Sequence, residues 1–192
     1  MEKMILQNDI TWEFMWAPYD QKTYQYVLEQ IHNFDNVLEI GAGDLRLAIQ
    51  IAKIARQVTA IEIHRDLLEQ AQASYSEKIP PNLSIIAGDA CKTPFPPATT
   101  LGVLLMRHCT HFALYASKLK SIGCKLLITN ARWRLGVETI NLQAPRESFN
   151  NVKLGWYGCQ CGSVGFIPGP VEDYTIELDQ IVHEVSACPQ CK

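Results

Sequence analysis

The chain has 192 residues, 47% hydrophobic and 19% charged, enough to bury one full core with a small appended lobe and too few for two equal domains. Lys and Arg number 17 against 20 Asp and Glu, a net charge of −3, which excludes the overall basic character of a dedicated nucleic-acid binder while leaving room for a local basic patch. Seven cysteines, odd in number and unevenly spread, argue against a secreted disulfide framework and for thiols that are reduced or bound to metal.

The chain begins MEKMILQNDITWEF, where polar and acidic residues break up any signal core. The longest apolar runs, such as LGVLLM at 101–106, are too short to cross a bilayer, so a cytoplasmic chain with no membrane partner is expected. Residues 1–35 read as an aromatic segment followed by a helix. Trp12, Phe14, Trp16 and Tyr19 either close over a substrate or pin the terminus to the core. Behind Asp20, the residues Val27, Leu28, Ile31 and Phe34 fall at helical spacing.

From residue 36 onward, short apolar runs alternate with helical patterns. NVLEI leads to a helix over 45–55, VTAIE to a helix over 66–77, and LSIIA and LGVLLM follow; a helix over 112–120 then precedes KLLIT at 125–129. This rhythm predicts a parallel sheet covered by helices on both faces, with a core over 36–131. Beyond it, residues 132–192 change character. Alternation in YTIEL at 174–178 and the glycines and prolines of GSVGFIPGP at 162–170 predict a small antiparallel lobe.

The turn GAGDLR at 41–46 lets backbone approach a ligand closely at the start of a helix. A dinucleotide fingerprint requires glycine where Arg46 stands, and a carboxylate at Glu39 beside the turn would repel a pyrophosphate. Glu62 ends VTAIE at the spacing from Gly41 at which a carboxylate meets ribose hydroxyls. Asp89, in AGDA at 87–90, either faces an adenine amine or forms an Asx turn after glycine.

Taken in order, VLEIGAG, VTAIEIHRDLLEQA and NLSIIAGDA resemble the first three motifs of class I S-adenosylmethionine-dependent methyltransferases, with wording most similar to the rRNA adenine dimethylase group over residues 36–95. The resemblance implies a Rossmann-like α/β fold. It also implies that Glu39, Gly41, Ala42 and Gly43 surround the methionine part and sulfonium, that Glu62 with Ile63 holds the ribose, and that Asp89 and Ala90 meet the adenine.

Methyl transfer requires a nucleophile held in line with the sulfonium, so the residues after the fourth strand should face the methyl group. Here they read MRHCTH, residues 106–111, without the Asn- or Asp-Pro-Pro-aromatic or Asn-Leu-Pro-Tyr signature of enzymes that methylate adenine amines. Met106 is expected to border the cofactor. His108 is the candidate base, with a backbone-bonded strand-end histidine as its alternative, and Arg107 either orients an anionic substrate or pairs with an acid. Cys109 reads as packing.

Near the end, YGCQCGS and ACPQC place Cys159, Cys161, Cys188 and Cys191 in two close pairs suited to one structural Zn²⁺. A redox dithiol or an iron–sulfur cluster are the rivals. Arg132, Trp133 and Arg134 either contact nucleic acid or form a solvated strand end with one buried ring.

These readings converge on a methyltransferase that uses S-adenosylmethionine and structural zinc. Its acceptor is unidentified, with the acidic charge favouring a small molecule or protein slightly over RNA. A cofactor-binding protein whose zinc lobe docks a partner without catalysis is the alternative, and an NAD-dependent oxidoreductase a weaker one.

Overall fold

A computed structural model of the chain describes residues 20–76, 78–107, 109–132 and 136–191. The aromatic segment before Asp20, with Trp12, Phe14, Trp16 and Tyr19, lies outside the described residues, as do His108, Trp133 and Arg134. Among the described residues, nine strands form two sheets, and no helix is long and apolar enough to cross a membrane.

The larger sheet has six strands in the order β3-β2-β1-β4-β5-β6. In chain order these are β1 (Asn36–Ile40), β2 (Gln57–Glu62), β3 (Leu83–Ala87), β4 (Leu101–Leu104), β5 (Leu126–Thr129) and β6 (Glu138–Asn141). The first five are parallel, and β6 returns antiparallel along β5 with Thr129 opposite Glu138. The sheet therefore runs past the expected core boundary at residue 131. The short apolar strands follow from burial on both faces, which leaves no solvated side to alternate toward.

Helices α1 (Gln21–Glu29), α2 (Arg46–Ala52) and α3 (Arg65–Ser74) cover one face, where Val27, Leu47, Ile51, Leu68 and Ala71 pack with Val37, Val58 and Val103. Helix α4 (Phe112–Ser121) covers the other, where Phe112, Tyr115 and Leu119 pack on Leu38, Leu104 and Leu127. Asp20 caps α1 by accepting from the Thr23 amide at 2.8 Å. Helices α2 and α3 are shorter than the periodicity predicts, with turns taking over at Lys53 and Tyr75.

The smaller sheet has the order β8-β7-β9, from β7 (Gly155–Cys159), β8 (Val164–Ile167) and β9 (Val182–Val185). β8 pairs antiparallel with β7, but β9 runs parallel to it. This corrects the expectation of a wholly antiparallel lobe with a strand at YTIEL. That stretch lies outside the strands, because Tyr174 and Ile176 point to solvent rather than to a core, and the pairing falls to the following VHEV.

Candidate cofactor site and cysteine cluster

Strand order reverses at β1, whose two neighbours β2 and β4 carry chain leaving in opposite directions, so a crevice opens at the carboxyl ends of β1 and β4. The glycine turn is built there. Gly41 and Gly43 have φ of 74° and 57°, values that favour glycine, and the Gly41 and Ala42 amides both donate to the Ile61 carbonyl of β2, at 2.9 and 3.0 Å. A Cβ on Gly41 would lie 2.8 Å from Met106 Cε, so the residue after β4 rests against the turn after β1. Arg46, at the third-glycine position, turns aside to pair with Asp44, its Nε donating to Oδ2 at 2.7 Å.

Glu62 ties the turn to the end of β2. Its Oε2 accepts from the Gly43 amide at 2.9 Å, while Oε1 accepts from the Ile63 and His64 amides at 2.9 Å each and lies 2.6 Å from His64 Nδ1. A carboxylate offers about four lone-pair positions, so Oε2 retains one for a ligand. Ile63 is 59% exposed, an apolar surface directly beside that carboxylate.

Glu39 differs from Glu62. Both are buried, but Oε2 of Glu39 has no hydrogen-bond partner. Burial pushes its carboxyl well above the ordinary range, and the charges of Asp44 and Glu62 push it the same way.

Asp89 forms the Asx turn: Oδ1 accepts from the Cys91 amide at 2.9 Å, and that bond holds its carboxyl below the ordinary range. Ala90 is buried beside it. The turn is pinned from below by a residue the sequence did not mark. Lys118 Nζ donates to the carbonyls of Ala90, Cys91 and Thr93 at 2.5, 3.2 and 2.8 Å and lies 4.1 Å from the centre of the Phe95 ring.

Beyond β4, Arg107 is exposed, and Cys109 is half-buried with its thiol pushed up by burial. On the neighbouring strand, Thr129 Oγ1 donates to the Leu104 carbonyl at 2.8 Å. Asn130 follows it, 3% exposed with neither amide atom partnered. Nothing in its sequence context distinguished it.

Arg132 is neither solvated nor available to nucleic acid, which corrects both readings of that position. It is 1% exposed, with Nε and Nη2 donating to Glu138 at 2.7 and 2.6 Å and Nη2 also meeting Glu184 of β9 at 2.6 Å. Its guanidinium occupies the space a Cβ on Gly158 would need.

The four C-terminal cysteines come together. Their Sγ atoms all lie within 4.8 Å of one another, with 3.4 Å between Cys159 and Cys191, 3.8 Å between Cys161 and Cys188 and 3.9 Å between Cys188 and Cys191. Tetrahedral zinc with bonds of about 2.3 Å sets its sulfurs about 3.8 Å apart, so the donor set fits in size and chemistry. Cys159 and Cys188 are buried, and burial raises both thiols; for Cys161 burial also raises the thiol, but hydrogen bonding with Ser163, Cys159 and Cys191 outweighs it and brings it down to about 7. The first cysteine turn packs on the core, where a Cβ on Gly162 would stand 3.1 Å from the Phe112 ring at the start of α4.

The family model for ribosomal RNA adenine dimethylase matches residues 11–138. A probable ribosomal RNA small subunit methyltransferase A from Pyrobaculum aerophilum is 34% identical over 79 residues, 41% of this chain and 33% of that protein, so the chain spans about a third of that relative's length. Among solved structures, the 23S rRNA methyltransferase ErmE is 23% identical with a TM-score of 0.50, covering 58% of this chain and 46% of that one. A dimethyladenosine transferase from Plasmodium falciparum is 24% identical with a TM-score of 0.49, covering 56% and 39%. The ErmE likeness concerns the fold alone, a class I methyltransferase sheet, but the family match takes in both the glycine turn and the crevice after β4. By that match the chain belongs to the ribosomal RNA adenine dimethylase family.

Proposed function

We propose that the chain transfers a methyl group from S-adenosylmethionine to RNA. The observation that carries the cofactor reading is Glu39, a buried carboxyl with no partner at Oε2, beside a glycine turn that contains Asp44 and is bound by Glu62. Three carboxylates at one turn disfavour a pyrophosphate and suit a ligand bearing sulfonium and ammonium charges. RNA as acceptor rests on the family, and it replaces the leaning toward a small molecule or protein that the overall charge supports.

S-adenosylmethionine supplies, when bound, a methyl group whose bond to sulfur breaks as the acceptor nitrogen forms its own, the electron pair staying on sulfur. In this reading Glu39 faces the cationic methionine part, and the backbone of Gly41, Ala42 and Gly43 shapes the floor. Glu62 uses its remaining Oε2 position for the ribose, with Ile63 against the base. Asp89 holds the turn on which Ala90 meets the adenine, and Met106 borders the methyl group. Asn130 offers a carboxamide beside the end of β4, where this chain lacks the usual adenine-methylating signature. His108 takes the proton released at the acceptor nitrogen, and Arg107 meets acceptor phosphate. The cysteines hold a structural Zn²⁺, since four thiolates leave no open position for substrate.

A second reading, cofactor binding without catalysis, draws on MRHCTH standing where that signature is expected. Calorimetry followed by transfer separates the two. Titration with S-adenosylmethionine, against NAD as control, should give saturable binding that Glu62→Ala abolishes, and tritium from the labelled cofactor should then appear in unmethylated ribosomal RNA. Binding without label in any fraction of a lysate favours the second reading, label in protein alone overturns the acceptor, and heat from NAD alone overturns the cofactor.

A further inference from the structure

The small sheet has two dissimilar ends. At one, the ends of β7 and β9 carry Cys159, Gly158 and Glu184, which reach the cysteine cluster and the buried Arg132 of the core. At the other, Trp156 near the start of β7 stands opposite Phe166 on one side and Val182 on the other. Here the rings form a run: Trp156 and Phe166 have centroids 5.3 Å apart, Phe166 and Tyr174 6.1 Å, and Trp156 Nε1 donates to Asp179 at 2.8 Å.

This end is apolar and open. Val171 is 86% exposed, Ile176 78% and Ile181 49%, values unusual for side chains grouped on one small lobe. It is also strongly acidic. Glu172, Asp173, Glu177 and Asp179 are exposed around it, and between Leu154 and Cys191 the sequence contains no lysine or arginine.

We propose that this end of the small sheet is a docking surface for a cationic protein segment, a lysine- or arginine-rich chain carrying apolar anchor side chains. Charge complementarity selects that occupant. Phosphates of RNA would be repelled by the same four carboxylates. A second copy meeting face to face would set the carboxylates against themselves, because a two-fold interface presents each patch to its own duplicate. A basic segment instead neutralises the ring of charge while its apolar residues cover Val171, Ile176 and Ile181, an apolar centre with a polar rim.

The test uses the zinc-loaded full chain and fluorescein-labelled peptides repeating Lys-Leu-Lys-Ala, Lys-Ser-Lys-Ala and Glu-Leu-Glu-Ala, read by anisotropy. The leucine-bearing cationic peptide should bind saturably, about tenfold tighter than the serine version, and the acidic one should not bind. Val171→Ser with Ile176→Ser should erase the preference for leucine. Glu172→Gln with Asp173→Gln and Glu177→Gln should weaken both cationic peptides about tenfold, with zinc content and melting temperature unchanged. Equal affinity for the two cationic peptides, or variants that bind as the unaltered chain does, overturns the proposal. So does polyuridylate binding that the Val171 and Ile176 changes abolish, or a dimer in sedimentation that they dissociate.

Discussion

At the scale of single residues, Glu39 and Glu62 show how two carboxylates beside one glycine turn come to differ. Glu62 accepts from three backbone amides; Glu39 has burial and two like charges against it and no donor at Oε2. A carboxyl whose folded pKa is raised gives its stability in full below the ordinary glutamate range and loses it as pH rises through the raised value. Glu39→Gln removes that loss, so the ligand-free variant should melt higher than the unaltered chain at pH 8 and by a margin that shrinks toward pH 4. A cationic ligand has the opposite preference, because it favours the ionised form. Affinity for S-adenosylmethionine should therefore rise with pH across the same window in the unaltered chain. In Glu39→Gln it should be flat and at least about tenfold weaker, roughly the 1.4 kcal/mol expected from one lost charge contact. Calorimetry at several pH values checks this, and a variant that binds the cofactor normally at pH 8 removes Glu39 from the site.

At the scale of elements, the turn after β3 depends on a helix from elsewhere in the chain. Lys118 of α4 satisfies three carbonyls of residues 90–93, and Lys118→Met leaves them without their donor, at a cost of about 1–3 kcal/mol. If that turn meets adenine, the loss should fall on the adenosine half of the cofactor. Methylthioadenosine should bind Lys118→Met about tenfold more weakly, methionine should bind as before, and Lys118→Arg should recover part of the difference; an equal loss for both halves would assign Lys118 to general stability. The contact also marks where reading the sequence stops. Strands β1 to β5 and the glycine turn were legible because their signals are local: continuous apolar runs, a carboxylate ending β2, and GAG between strand and helix. Lys118 looks like a solvated charge because its partners lie 25 to 28 residues away. YTIEL alternates as a buried-face strand does, yet Tyr174 and Ile176 lie exposed, and the parallel pairing of β9 with β7 leaves no turn motif to find. Four cysteines in two pairs were legible as a cluster because thiolate pairs have few uses, whereas the partners of Arg132 stand 6 and 52 residues along the chain.

At the scale of the whole molecule, two clamps hold the small sheet to the large one, and they answer to different conditions. One is ionic. Arg132 lies between Glu138 of β6 and Glu184 of β9, and burial raises the Glu138 carboxyl while Arg132 holds it down. Arg132→Met strands both carboxylates, and breaking a buried pair in this way costs about 3–5 kcal/mol, whereas Arg132→Met with Glu138→Gln and Glu184→Gln removes the charges together and should recover much of it. The other clamp is the cysteine turn on Phe112, whose shape needs the four sulfurs held together. Stripping metal with a chelator should release one zinc per chain and speed amide exchange across β7, β8 and β9, while β1 and β2 exchange as before. Cofactor binding should survive that treatment nearly unchanged, because every candidate contact to it arises from β1 to β4 and the turns that follow them. In Arg132→Met the same strands should exchange faster even with zinc bound, since the clamps act at separate points of one interface. If chelation instead abolishes cofactor binding while β1 and β2 stay protected, the cysteine lobe belongs to the cofactor pocket itself, and the division of labour between the two sheets is wrong.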